Sequence, residues 1–260
     1  MAQQDSTANW KPLYLTGGIA ALLAVFVFRR NLGAELSLLA MLGIVDGVPT
    51  TPLTSAGDWF RLFQENRLVG LTFLNLFDLF EYALLGLVFL VLWAALRRDS
   101  PSAMLIATTA GLIGTAVYFA SNQALSMLAL SERYAAAASE AQRSAYLAAG
   151  EALLAANNPD SMVQGAGVTI SLFLVLLAGL IISVVMLRSA AFGRATAVIG
   201  ILANGIGLCY FLTLAFLPAI YWLPHPISAP FRVVWYFLIA LKLFKLARQP
   251  GQDRQLQPKP

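Results

Sequence analysis

Asp78 and Glu81 lie inside an otherwise apolar stretch, Leu68 to Leu96. Acids three residues apart sit about 60° apart around a helix and share one face. Asn75 and Tyr82 border that face. An acid at the bilayer centre costs on the order of 2.5–3.5 kcal/mol, so such residues face the protein interior or a wet cavity. The chemistry open to the pair is binding of a cation, a small molecule or a lipid headgroup. A second possibility is general acid or base catalysis on a lipid-like substrate. A third is purely structural hydrogen bonding between helices.

Composition says what must position these acids. The chain has 260 residues, 59% hydrophobic and 12% charged, with mean hydropathy +0.73. A soluble domain carries about 25% charged residues. The expected fold class is all-α: an integral membrane bundle of six transmembrane helices with a small extracytoplasmic helical cap. The expected spans are Pro12–Phe28, one within Leu68–Leu96, Ser102–Gln123, Met162–Leu187, Ala195–Leu217 and Phe231–Ala247. Residues 1–11 and 249–260 form polar tails around a single membrane domain, 12–248.

The cap is expected from segments 31–67 and 131–160. In the first, Gly33–Ile44 reads as an interfacial helix and Asp46–Pro49 as a turn. Ser55–Asn66 reads as an amphipathic helix whose Trp59, Phe60, Leu62 and Phe63 dip into the headgroups. In the second, Ser131–Ala156 reads as one alanine-rich helix with Tyr134 and Tyr146 at the lipid surface, ended by Asn157–Asp160. Small residues at spacing four (Ala107, Gly111, Thr115; Thr196, Gly200; Ala203, Gly207) allow close helix contact. The same faces suit a partner membrane helix or a second copy of the chain.

The net charge of +4 comes from basic residues at span ends, which points to membrane orientation rather than nucleic acid. Lys11, Arg97, Arg98, Arg188, Arg194, Lys242, Lys245 and Arg248 fall on one side, which is expected to place both termini in the cytoplasm. Arg29 and Arg30 are the exception.

This orientation sets the depth of the acids. Leu68–Leu96 spans about 29 residues, roughly 43 Å as a helix, against about 30 Å of hydrocarbon. Counting about 20 residues back from Arg97 reaches Asn75, which leaves Asp78 and Glu81 roughly 5–10 Å below the outer boundary. Tyr118, Asn122, Gln164, Thr169, Tyr210 and Thr213 fall at the same level, and Arg232 starts the sixth span. The expected site is an outward-facing polar pocket floored by Asp78 and Glu81. Asn75, Tyr82, Tyr118, Asn122 and Tyr210 line it, and Arg232 closes it.

Other chemistry finds little support. The single cysteine, Cys209, excludes an intramolecular disulfide and reads as a small buried side chain. His225 between two prolines reads as an exposed loop residue. No Gly-rich phosphate loop, HExxH or GxSxG is present. No metal or cofactor is expected.

Four segments carry a resemblance: GLTFLNLFDLFEYALLGLVFLVLWAALRR, AGEALLAANNP, LRSAAFGRATAVIGILANGIGL and FRVVWYFLIALKLFKLA. From about Leu68 onward the chain resembles an uncharacterised bacterial six-helix membrane family, the domain of unknown function numbered four-three-eight-six. The resemblance implies an inner-membrane protein and supplies no activity or catalytic residues.

Overall fold

A computed structural model describes residues 10–28, 53–157 and 165–248. The expectations for Gly33–Ile44, Asp46–Pro49, Arg29–Arg30, Asn158–Asp160, Gln164 and both polar tails lie outside the described residues. Among the described residues every regular element is a helix. In chain order these are α1 (Lys11–Phe28), α2 (Ala56–Glu65), α3 (Arg67–Phe73), α4 (Leu76–Leu96) and α5 (Pro101–Ser121). Then follow α6 (Ala124–Ala135), α7 (Glu140–Ala156), α8 (Ala166–Met186), α9 (Arg194–Phe216), a short 3₁₀ turn (Pro218–Ile220) and α10 (Pro224–Arg248).

Among the described residues five helical stretches are long and apolar enough to cross a membrane: α4, α5 with its continuation to Ala135, α8, α9 and α10. The apolar stretch of α1, Lys11–Val25, is shorter. The helices fall into two compact units.

The first unit holds the described residues 10–25, 84–109 and 177–248. Small residues set its packing. Gly200 faces Ser183 Oγ and Trp235 Nε1 so closely that a Cβ there would overlap both. Gly179 likewise faces the Asn204 amide. Asn204 Nδ2 donates to the Gly200 carbonyl at 2.8 Å, which satisfies a buried amide within its own helix. At one end the Arg97 guanidinium sits 4.9 Å from the Trp10 ring and 5.1 Å from Trp93, a cation–π clamp on the start of α1.

Helix α10 begins at Pro224, well before the expected Phe231. Proline is tolerated in a first turn, where N–H groups have no helical partner, so Pro224 and Pro226 open the helix rather than ending the loop. Arg232 therefore lies two turns inside α10 and not at its start. His225 is half-buried in the same helix, 4.7 Å from the Tyr210 ring, and is not an exposed loop residue. Cys209 is exposed on α9, against the expectation of burial. It is apolar enough to sit on the outer face of a hydrophobic helix.

The second unit holds the described residues 26–28, 53–83, 110–157 and 165–176. Its core is a small helical cluster. Ser55 caps α2 through a reciprocal box with Asp58. Trp59, Phe60, Leu62 and Phe63 are buried against Val69, Leu74, Ala124, Met127 and Leu154. The expectation that these side chains dip into headgroups is corrected. Burying one such side chain is worth about 1.5–3 kcal/mol, and helices α6 and α7 provide a protein partner that sequence periodicity does not reveal. Tyr134 packs on Phe60 at 5.3 Å between ring centroids, so it belongs to this cluster too.

The expected single helix Ser131–Ala156 is two. Helix α6 ends at Ala135, and Ser139 caps α7 by accepting the Gln142 N–H at 3.3 Å. Helices α5 and α8 approach closely where Gly114 lacks a side chain: Ser171 Oγ donates to the Gly114 carbonyl at 2.6 Å. Gly165, at φ 100°, opens α8 in a backbone region that favours glycine.

Candidate functional site

The acid-bearing stretch is not one helix. Helix α3 ends at Phe73 and α4 begins at Leu76. Between them Asn75 adopts φ 65°, the left-handed region that Asn enters more readily than other non-glycine residues. Its N–H donates to the Thr72 carbonyl at 3.1 Å, and its carbonyl accepts the Asp78 N–H at 3.2 Å. The break puts Asp78 in the first turn of α4. A carboxylate there is favoured by the positive end of the helix dipole.

Helix α5 meets this turn with two polar side chains one turn apart. Asn122 Nδ2 donates to the Asn75 carbonyl at 3.1 Å. Tyr118 donates its hydroxyl proton to Asp78 Oδ2 at 2.7 Å. Tyr82, four residues beyond Asp78, stacks on Tyr118 with centroids 3.8 Å apart and planes 3° from parallel. Five of the expected site residues (Asn75, Asp78, Tyr82, Tyr118 and Asn122) thus form a ladder of two rungs between α4 and α5. Glu81 lies on α4 beside them and is half-buried.

Tyr210 and Arg232 belong to the first unit. There Tyr210 packs its ring against His225 and Phe211, and Arg232 Nη2 donates to Ser228 Oγ at 2.9 Å.

Next to the upper rung lies a cavity of about 390 Å³, lined by Ser121, Asn122, Gln123, Ser126, Asn157 and Gly165 among others. Asn157 Nδ2 donates to the Ser121 carbonyl at 3.1 Å, which ties the end of α7 to the end of α5. Ser121, Gln123, Ser126 and Asn157 are the polar residues that reading the sequence missed at this place. The signal was present in their clustering at helix ends, where Asn122 Oδ1 accepts the Ala124 N–H at 3.1 Å and starts α6. Among the described residues no group of three or more His, Cys, Asp or Glu side chains is arranged to hold a metal ion.

Chemically the ladder is rich in acceptors: two carboxylates, side-chain amide oxygens and the faces of two phenols. Such a surface recognises hydrogen-bond donors and positive charge. Comparison with protein families, curated proteins and solved structures gives no match.

Proposed function

We propose that the chain is a multi-pass inner-membrane protein of a bacterium that binds a small molecule, a lipid headgroup or a cation at Asp78 and Glu81. In this reading α1 is a sixth span, both termini are cytoplasmic, and α2, α3, α6 and α7 form an extracytoplasmic cap. Membership of the six-helix family of unknown function is part of the same proposal. The observation that carries it is the Tyr118–Asp78 hydrogen bond beside the Tyr82 stack. It sets an acceptor-rich surface at a helix break, where a polar group is cheaper to hold than in mid-helix hydrocarbon.

Native mass spectrometry of the purified protein tests this. The wild type retains a bound small molecule or lipid that Asp78→Asn and Glu81→Gln lose while remaining folded. Equal retention in all three proteins defeats the reading. Thiol labelling of Ala137→Cys from outside the cell tests the orientation.

A structural role is the second reading, and one observation favours it. Asn75 and Asp78 each accept a hydrogen bond from α5, as residues that only join helices would. In that case the two acid variants lower thermal stability and change no bound species.

A further inference from the structure

The connection between α9 and α10 is apolar and outward-facing. Phe216 is 77% exposed, Leu217 54% and Trp222 55%, and Ile220 and Ile227 are exposed beside them. Apart from His225, no residue between Arg194 and Arg232 carries an ionisable acid or base of the Asp, Glu, Lys, Arg or His type. A loop in water at this position would expose a contiguous apolar patch, which soluble surfaces rarely carry without a partner.

We propose that this corner, Phe216–Ile227, is a wedge seated at the headgroup–acyl boundary of a phospholipid bilayer. Three observations support a bilayer setting over an aqueous loop. First, the exposed apolar surface continues without interruption along both helices, through Val198, Leu202 and Leu212 on α9 and Val234, Phe237 and Leu241 on α10. Secondly, helix α9 has 23 residues. At about 1.5 Å per residue it runs roughly 34 Å, enough to cross about 30 Å of hydrocarbon from Arg194 and bring Phe216 to the far boundary.

Thirdly, four backbone N–H groups of the corner are paired locally. Leu217 N–H donates to the Thr213 carbonyl at 2.8 Å, Ile220 to Leu217 at 3.0 Å, Leu223 to Ile220 at 3.1 Å and Ile227 to Leu223 at 3.3 Å. Pro218, Pro224 and Pro226 have no N–H to satisfy. Such closure meets the demand of a water-poor layer, where an unpaired backbone group is costly. Trp222 and Tyr221 then place amphipathic rings at the level where such rings collect in membrane proteins. Because the corner has no formal charge, a zwitterionic lipid suffices, and the contact is indifferent to salt.

The test uses the full chain with Cys209→Ser, carrying a nitroxide at Trp222→Cys or, separately, at Leu217→Cys, in phosphatidylcholine vesicles. Lipids labelled at the headgroup and at mid-chain calibrate depth. Expected is relaxation by oxygen several-fold above that by a water-soluble nickel chelate, at a depth between the two calibrants. Strong relaxation by the nickel chelate overturns the proposal in favour of an aqueous loop. Weak relaxation by both reagents overturns it in favour of a protein covering the corner. If one variant fails to fold, the other position gives the same reading.

Discussion

Tyr118 gives its hydroxyl proton to Asp78 Oδ2 across 2.7 Å while its ring lies flat against Tyr82. One phenol therefore makes two separable contacts with α4, one polar and one apolar. Tyr118→Phe removes the hydrogen bond and keeps the stack. A hydrogen bond to a charged group is worth about 1.5–3 kcal/mol. Thermal unfolding in detergent is expected to show a loss of that size for Tyr118→Phe and a larger one for Tyr118→Ala. Equal losses for the two variants place all of the effect in the hydrogen bond and none in the stack.

Glu151 Oε1 accepts the Ala56 N–H at 2.7 Å, so a side chain of α7 caps the first turn of α2. An N–H at a helix start has no partner within its own helix. Replacing a capping group by alanine costs about 0.5–2 kcal/mol. Glu151→Ala is expected to lower the unfolding midpoint of the cluster around Trp59 and to speed hydrogen exchange at Ala56. Glu151→Gln retains an acceptor oxygen and is expected to fall between wild type and alanine. Unchanged exchange at Ala56 in Glu151→Ala contradicts the cap.

The same helix start carries a pH dependence. The Ser55 hydroxyl donates to Asp58 Oδ2 at 2.8 Å, and with the Ser55 and Thr54 backbone N–H groups it holds the Asp58 carboxyl below its ordinary value. The folded form thus binds its proton less readily than the unfolded form. The contribution to stability is full above the ordinary aspartate value, about 3.9, and is lost as pH falls through the lower folded value. Asp58→Asn is expected to remove this acid-side loss and leave stability near neutrality slightly lower. Thermal melts followed by Trp59 fluorescence across the acid range check it.

How much of this was legible beforehand differs from element to element. The apolar runs of α5, α8 and α9 declare themselves, and their observed ends lie within a few residues of those expected. The polar residues Asn75, Asp78, Tyr82, Tyr118 and Asn122 stand out because polar groups in apolar helices are rare. That α4 and α5 bring them together depends on the break at Asn75, where a single left-handed residue interrupts a run that composition reads as continuous. The split of α6 from α7 rests on Ser139 and Gln142, a capping signal submerged in alanine. Trp59, Phe60, Leu62 and Phe63 have an apolar helical face, but a face does not say whether lipid or protein covers it. Only tertiary packing decides that, as it does for the seating of Arg232 within α10.

Two glycines on α9 separate packing from propensity. At Gly200 a Cβ would overlap Ser183 Oγ and Trp235 Nε1, both buried. Overfilling a packed interior costs about 1–3 kcal/mol. At Gly205, five residues on, a Cβ meets nothing within 4 Å. There alanine recovers helix propensity of about 0.8–1.0 kcal/mol over glycine. Gly200→Ala is therefore expected to lower the thermal midpoint in detergent, and Gly205→Ala to leave it unchanged or raise it. Trp235 fluorescence provides the local readout, since only the first substitution presses on the indole. A shifted emission maximum in Gly200→Ala with none in Gly205→Ala matches this packing. The same shift in both, or in neither, contradicts the close approach of α9 to Trp235.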